Sequence, residues 1–438
     1  MRQSRSMRLG IREIPNLQQW LFFSLQHLCA MVGATVLVPI LIGMSPATAL
    51  LSSGLGTLAF LLVTQGRVPA YLGSSFAFIY PIIAAQEIGG PEGAMIGSFF
   101  AGVVYGGVAI AIKFFGARWL LKVLPPVVVG PIIIVIGLGL ATTAVGNAMY
   151  MPGTDQYSLT HVMVAAVTLG VAIIAAAYFK GFLNLIPVLL GLVAGYFVAL
   201  WQGLIDLQPV REASWFAVPD LMIPYITYLP SFNWTIIVLI APVALVTLAE
   251  HMGQLMVLSK VAGRNFLEKP GMHRTVFGDG LATMIAAMIG GPPNTTYGEN
   301  VAVVAITRVF SVFIIAGAAL FAIGFSFSGK VAAVISSIPP AVIGGMSILL
   351  FGVIATAGLR MLIDNRVDFG EKRNMIIAAV ILVIGIGGAT VRFTTHFELS
   401  GMSLAAVVGL CLHAVLPNRK ASYGKETMFD SQMNTKRI

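Results

Sequence analysis

Two glutamates, Glu250 and Glu299, lie inside or at the mouth of apolar stretches long enough to cross a bilayer. An ionised group in hydrocarbon is costly, so such residues usually face a cavity and mark a substrate or ion pathway. Two converging carboxylates can accept hydrogen bonds from ring N–H groups, and a buried carboxyl can also bind a proton. A structural role, with each carboxyl satisfied by neighbouring groups, is the alternative. The pair favours a polar site at mid-depth in a membrane protein.

The elements that must position these carboxylates are irregular. Residues 70–78 and 292–300 are rich in Gly, Ser, Thr, Asn, Pro and aromatics, and each stretch leads into a short apolar run. This pattern predicts extended backbone followed by a half-helix, which is tolerated at membrane depth only where it lines a cavity or packs on protein. Free backbone groups and half-helix N-termini would suit a planar ligand with alternating donors and acceptors.

Other polar residues could support such a site. Gln254 lies one turn beyond Glu250 on the same helix face and can hydrogen-bond it. Asp279 is a candidate support for an extended segment, although a helix-cap or interface role is equally open. His27 is open between a structural and a functional role, whereas His251, about 100° around the helix from Glu250, is expected to be structural.

Composition places the chain in a membrane. Of its 438 residues, 58% are hydrophobic and only 10% are charged, against about 25% charged in ordinary soluble domains. We predict an all-α integral membrane protein with about fourteen transmembrane segments. Their expected starts are near Gln18, Pro46, Ser75, Gly93, Pro126, Val162, Phe182, Asn233, Thr275, Tyr297, Ser311, Pro340, Asn374 and Met402.

The net charge of +9 follows from topology. With both termini inside, 23 of the 26 basic residues fall on the cytoplasmic side, and only Arg211, Lys330 and Arg392 fall outside. This is the positive-inside bias. It predicts a multi-pass protein of the cytoplasmic membrane and requires no nucleic-acid partner. The first apolar stretch is predicted to be a retained helix rather than a signal peptide.

The chain repeats itself. Residues 124–130 are similar to residues 338–344. Three weaker similarities, which begin at residues 26, 54 and 74, occur in the same order in both halves, and the spacings of the four pairs are 214 to 226 residues. Seven spans per repeat would invert the second half, as in secondary transporters, whose substrate sites lie between the halves. The predicted units are a cytoplasmic tail (1–14), a first repeat (15–205), an external linker (206–231), a second repeat (232–416) and a cytoplasmic tail (417–438).

Signatures of enzymes and of bound cofactors are missing from the sequence. It contains no HExxH motif, nucleophile elbow or Walker loop. Cys29 and Cys411 lie in predicted spans and provide neither a disulfide framework nor a metal site. We therefore expect no catalytic residues, no metal and no cofactor.

Five segments of the sequence carry a family resemblance: Ser24 to Leu28, Gly33 to Pro39, Pro69 to Phe78, Ala249 to His251, and Pro293 to Asn300. They resemble the nucleobase/ascorbate transporter family of nucleobase–cation symporters, most closely its bacterial uracil-permease branch. The similarity extends from the first span to about Leu416, and the last segment is typical of the uracil branch rather than of the xanthine or urate branch.

The resemblance implies a core domain of spans 1 to 4 and 8 to 11, and a gate domain of spans 5 to 7 and 12 to 14. It also implies a homodimer that forms through the gate domain within the membrane lipid. Glu250 and Glu299 are expected to bind the uracil ring edge, with backbone amides at Phe76 and Gly298 meeting its carbonyl oxygens and Tyr297 helping to enclose the ring. Ser75, Gln254, Asp279 and Phe351 are expected to support the site.

Two departures from the family pattern concern coupling and binding. Gln254 stands where the uracil permeases have a His, and Phe351 stands where they have a Tyr facing the site. Because an amide does not titrate near neutral pH, proton coupling would depend on Glu250, helped by His27. The predicted function is proton-coupled uracil import by movement of the core against the gate. Another nucleobase, an anion by fold alone, sodium coupling and an intramembrane enzyme are the alternatives.

Overall fold

The computed structural model describes residues 9–154, 156–181, 183–394 and 397–417. The chain is mostly helical, as predicted. The predicted cytoplasmic tails include residues 1–8 and 418–438, which lie outside the described residues.

The first part of the chain folds mainly into helices. Its elements, in chain order, are α1 (Leu17–Leu41), α2 (Pro46–Val63), β1 (Leu72–Ser74), a 3-10 turn (Phe76–Phe78), α3 (Ile79–Phe115), α4 (Arg118–Val123), α5 (Pro126–Leu138), α6 (Ala141–Met149), α7 (Leu159–Tyr178), a 3-10 turn (Leu183–Leu185), α8 (Pro187–Trp201) and α9 (Gln208–Glu212).

The remaining elements follow the same plan. They are α10 (Trp234–Ile240), α11 (Val243–Ala262), a π-helical turn (Leu267–Gly271), α12 (Met272–Ile289), β2 (Asn294–Thr296), α13 (Gly298–Thr307), α14 (Val312–Ser326), α15 (Gly329–Ser336), α16 (Pro340–Asp364), α17 (Lys372–Ile386), β3 (Thr390–Thr394), β4 (Phe397–Ser400) and α18 (Gly401–Val415).

Sequence signals explain many of the helix ends. Asn16 caps α1 in a capping box with Gln19, and Ser45 caps α2 just before a proline at its first position. The long helix α3 is broken at Gly89 and Gly90, where Gly90 has a φ of +67° and a proline follows. This break lies just before Gly93, where the sequence predicted the start of a new span.

Thirteen of the fourteen predicted starts fall within five residues of the start of a helix or helical turn, and Gly93 lies inside α3. By length and hydropathy, however, only seven helices among the described residues can each cross a membrane, or eight if the pair α14 and α15, bent by 83°, counts as one span. The count is smaller than fourteen because α3, although broken at Gly89 and Gly90, counts as one helix, and because helices such as α13 are too short to cross alone.

Helix packing falls into two groups. In the first, α12 packs against α3 and α2, while α14 packs against α2 and α1. In the second, α16 packs against α5, α6 and α7, and α17 packs against α5 and α18. The second group also includes α8, which packs on α7, and the first includes α11, which contacts α3. Contacts between the two groups are smaller and include α1 with α8 and α11 with α5.

The hairpin of β3 and β4 was not predicted from the sequence. Thr390 pairs with Ser400 and Val391 pairs with Leu399 in an antiparallel register. Strands this short between helices carry too few residues for a period-2 pattern to stand out.

Candidate functional site

The two predicted irregular stretches meet as a short antiparallel ladder. Leu72 pairs with Thr296, Gly73 with Thr295, and Ser74 with Asn294. Two further backbone hydrogen bonds extend the ladder: Ser75 N–H donates to the Pro293 carbonyl and Tyr297 N–H donates to the Tyr71 carbonyl, each at 2.9 Å. A segment from each half of the chain therefore satisfies the backbone of the other within the protein interior.

Hydroxyl and amide side chains of the surrounding helices satisfy the outer edges of this ladder. Thr57 Oγ1 accepts from the Leu72 N–H at 2.9 Å and donates to the Leu72 carbonyl at 3.1 Å. Thr283 Oγ1 donates to the Asn294 carbonyl at 3.0 Å, and Asn294 Nδ2 donates to the Ser52 carbonyl at 3.0 Å. Polar partners at these positions allow extended backbone to remain buried in a membrane protein.

Each strand leads directly into the N-terminus of a helix. Ser75 and Tyr297 are the residues before these helices; both have extended backbone, and neither makes a side-chain capping bond. Phe76 and Gly298 are therefore first-turn residues whose N–H groups have no intrahelical acceptor. Because the strands are antiparallel, the two N-termini leave the ladder at opposite ends. Both provide free donors and partial positive charge.

The two carboxylates lie beside these elements. Glu250 is on α11, and Glu299 is the second residue of α13, in the first turn where a negative charge is stabilised by the helix dipole. Both side chains are half-buried, whereas most of their neighbours along the chain are buried. Glu250 is near enough to Glu299 and Asp279 to interact electrostatically with both. The structure thus brings the predicted pair together.

Gln254 does not form the predicted hydrogen bond with Glu250. Its amide lies over Gly298 instead, and a Cβ placed on Gly298 would lie 2.7 Å from Gln254 Nε2. The spacing of four residues correctly places Gln254 on the face of α11 that carries Glu250. Packing against α13, however, directs its amide to the first turn of that helix. A methyl group on residue 298 would displace this amide.

Tyr297 is buried and joins the two extended segments. Its hydroxyl donates to the Ser74 carbonyl at 2.9 Å and accepts from Thr35 Oγ1 at 3.2 Å. A Cβ on Gly73 would lie 2.6 Å from the Tyr297 ring and 2.8 Å from Thr35 Oγ1. The hydroxyl-bearing end of the ring therefore packs closely against Gly73 of β1. Thr35 was not singled out from the sequence as a site residue, although it lies in one of the five family segments.

Phe76 is half-buried and contacts the second group of helices. Its ring meets Phe351 of α16 edge to face, with ring centroids 6.4 Å apart and an interplanar angle of 84°. Phe76 also lines a small cavity with Val135 of α5, Met402 of α18 and Leu140, which lies just before α6. Ser75 is buried beside it, and its hydroxyl has no hydrogen-bond partner in the described part of the chain.

The two histidines have different partners. His27 Nδ1 lies 3.1 Å from Asn300 Nδ2, and Asn300 also donates to the His27 carbonyl at 3.1 Å. His27 is thus tied to the residue after Glu299. His251 Nδ1 lies 2.9 Å from both Asp279 Oδ2 and Thr296 Oγ1. Asn300 was missed as a partner of His27, although it ends the motif around Glu299.

No group of three or more His, Cys, Asp or Glu side chains suited to a metal occurs within the described residues. The site instead contains carboxylate acceptors, free backbone donors and an aromatic face. This arrangement can bind a small planar molecule with N–H and carbonyl groups on its edges.

Comparison with known proteins agrees with a site for a small planar molecule. A model described as a permease family matches residues 18–393. The uracil permease of Bacillus caldolyticus is 58% identical over 97% of this chain and 98% of its own length. The uracil permeases of Bacillus subtilis (strain 168) and Escherichia coli (strain K12) are 57% and 43% identical, over 95% and 97% of this chain and 97% of their own lengths.

Fold and site together define a multi-pass membrane transporter rather than an enzyme. The family match extends over most of the chain and the relatives cover nearly all of it. The chain belongs to this permease family, the nucleobase/ascorbate transporters.

Solved structures of distant proteins share the fold. The transmembrane domain of the cyanobacterial bicarbonate transporter BicA superposes with a TM-score of 0.65 over 91% of this chain and 97% of that chain, at 15% identity. The murine Slc26a9 anion transporter in its inward-facing state gives a TM-score of 0.70 over 92% of this chain and 69% of that chain, at 10% identity. At such identities the likeness concerns the fold alone.

Proposed function

We propose that this protein is a uracil permease that imports uracil in symport with protons. The observation that carries the proposal is the pair of half-buried carboxylates, Glu250 and Glu299, beside two free helix N-termini. A pyrimidine ring with N–H and C=O groups on its edge complements such a site. Relatives named uracil permease, 43% to 58% identical over almost the whole chain, support this choice of substrate.

In the proposed complex, Glu250 and Glu299 accept hydrogen bonds from the ring N–H groups. The backbone amides of Phe76 and Gly298 donate to the ring carbonyls. Phe76 packs on the ring face, and the buried Tyr297 keeps the two extended segments in register behind it. Buried hydrogen bonds of this kind discriminate strongly against ligands that leave them unpaired.

Support around the complex has four proposed members. Asp279 accepts a hydrogen bond from Thr296 of β2, and Ser75 directly follows β1. Gln254 covers the first turn of α13, and Phe351 of α16 contacts Phe76.

Protons enter the proposed mechanism through Glu250. When protonated, Glu250 presents a neutral carboxyl to uracil, and loss of the proton on the cytoplasmic side favours release of the ring. His27 is the proposed secondary participant, since Asn300 joins it to the helix that carries Glu299. Gln254 cannot take part because an amide does not titrate.

We further propose fourteen spans in two inverted repeats, with both termini cytoplasmic. The helix starts that match the predicted spans support this count. The two packing groups of helices support a core domain of spans 1 to 4 and 8 to 11, and a gate domain of spans 5 to 7 and 12 to 14. Uracil would cross by movement of the core against the gate, and a homodimer would form through the gate.

Uptake of radiolabelled uracil into proteoliposomes tests the proposal. We expect accumulation only with an inward proton gradient, none with Glu299→Ala, and loss of the pH dependence of uptake with Glu250→Gln. Accumulation driven by a sodium gradient without a proton gradient would contradict proton symport. Failure of excess unlabelled uracil to compete, with competition by xanthine or urate, would contradict the substrate.

An anion carrier is the weaker candidate. The BicA and Slc26a9 likenesses favour it by fold alone. Two carboxylates at the site oppose it, because they repel an anionic substrate. Inhibition of uracil uptake by bicarbonate or sulfate would support an anion carrier.

A further inference from the structure

A second pocket, away from the carboxylates, is formed by three segments that are distant in sequence. It includes about 1170 Å³ of empty space with its open mouth. The lining residues are Ile11, Arg12, Arg67, Arg264, Asn265, Phe266, Glu268 and Lys269. The segments precede α1, follow α2 and connect α11 to α12.

The charge of this pocket is strongly positive. Four cationic side chains and one carboxylate line it, which gives a net charge of +3 (four minus one). Two apolar residues form its floor: Ile11 and Phe266, which are 5% and 1% exposed. A concave surface with several cations above a low-dielectric floor concentrates anions.

The pocket walls are held by specific contacts. Arg12 Nη2 donates to the Gln65 carbonyl at 2.6 Å, which fixes the N-terminal segment on the turn after α2. Ile11 is held from the other side, since its carbonyl accepts from the Val312 N–H at 2.9 Å. In the third wall, Phe266 N–H donates to Ser259 Oγ at 3.2 Å.

We propose that this pocket binds a phosphate-bearing anion, either the headgroup of an anionic phospholipid or a soluble phosphate compound. Arginine is suited to phosphate because its planar guanidinium donates two parallel hydrogen bonds. The basic pocket lies at the ends of membrane helices on the side where 23 of the 26 basic residues are expected, and basic pockets in such places bind anionic headgroups. Its walls connect α11 and α12, so an occupant would hold the helices that carry Glu250 and Asp279 in place.

The test uses the full-length protein in nanodiscs of phosphatidylcholine, with phosphatidylglycerol or inorganic pyrophosphate as the probe. Binding is measured by retained lipid in native mass spectrometry and by the thermal unfolding midpoint as each probe is titrated. The variant is Arg67→Gln with Arg264→Gln, since both side chains are exposed and Arg12 also holds the turn. The matched control is Lys180→Gln with Lys372→Gln, which removes the same charge from other exposed sites.

We expect the variant to bind the probe about 30-fold more weakly, since each basic residue near an anionic surface contributes about 1 kcal/mol. The control should bind within about twofold of the unmodified protein. Preferential binding of phosphatidylglycerol identifies a lipid headgroup, and binding of pyrophosphate in phosphatidylcholine identifies a soluble phosphate. Equal losses in variant and control, or no preference for either anion, would overturn the proposal.

Discussion

His251 Nδ1 lies 2.9 Å from Asp279 Oδ2, and neither side chain is exposed to solvent. The Thr296 hydroxyl completes the group, donating to Asp279 Oδ1 at 3.1 Å and accepting from His251 Nδ1 at 2.9 Å. These contacts connect α11, α12 and β2. The residue after Glu250 is thus bonded, through Asp279, to the strand that leads into Glu299.

Asp279→Ala should lower stability more than any single loss of a hydroxyl at the site. Removing the carboxylate takes the acceptor from the buried Thr296 hydroxyl and leaves His251 Nδ1 with the Thr296 oxygen, at a cost of about 1 to 3 kcal/mol. The thermal unfolding midpoint of the purified protein checks this. Asp279→Asn keeps one oxygen for Thr296 and should fall between the two. Equal midpoints for Asp279→Ala and the unmodified protein would exclude a structural role for the group.

Gly73→Ala should prevent correct assembly of the ladder. The added methyl would lie 2.6 Å from the Tyr297 ring and 2.8 Å from Thr35 Oγ1, both held by hydrogen bonds. We expect loss of uracil binding together with a lower unfolding midpoint. Gly106→Ala is the matched control, because nothing lies within 4 Å of its added methyl and alanine favours a helix by about 1 kcal/mol. Normal binding by Gly73→Ala would show that the strands can separate without effect on the site.

Tyr297→Phe should weaken the site indirectly. The Ser74 carbonyl loses its donor at 2.9 Å, and leaving a buried acceptor unpaired costs about 1 to 3 kcal/mol. We expect a lower unfolding midpoint and a smaller loss of uracil affinity than with Glu299→Ala. Combination with Thr35→Val should be less than additive, because both variants disturb the same hydrogen bond. Strict additivity would argue that Thr35 and Tyr297 act separately.

Phe351→Ala should change the rate of transport more than equilibrium binding. Its ring contacts Phe76 edge to face across the two helix groups, and such a contact is worth about 0.5 to 1.5 kcal/mol beyond area burial. Uptake rate and uracil affinity measured on the same preparation separate the two effects. Phe351→Leu retains apolar volume and serves as the control. An affinity loss as large as that of Phe76→Ala would place Phe351 in the binding surface itself.

Gln254→His should alter the pH dependence of uptake. A histidine at this position would titrate near neutral pH beside Glu250, whereas the amide does not. We expect uptake rates to diverge from those of the unmodified protein between about pH 5 and pH 8 and to agree more closely above that range. Gln254→Asn, which shortens the side chain without adding a titratable group, separates the loss of packing on Gly298 from the gain of a proton site. A profile identical to that of the Asn variant would exclude a titrating role.

Sequence patterns determined the membrane class, most helix starts and the candidate site residues. These features are local: an apolar run, a Gly-rich break or a Glu in an apolar stretch can be recognised from its immediate neighbours. The intramembrane cost of a carboxylate made Glu250 and Glu299 conspicuous before any contact was known.

Only the tertiary structure decided which groups meet. Tyr297 bonds to Ser74 across 223 residues of sequence, and nothing in either segment specifies that register. Helical spacing alone would allow Gln254 to reach Glu250. The packing of α11 on α13 directs its side chain to Gly298 instead. Asp279, ambiguous from its neighbours, received His251 and Thr296 as partners only when α11, α12 and β2 came together. Partner choice depends on three-dimensional packing, whereas residue type and periodicity are written along the chain.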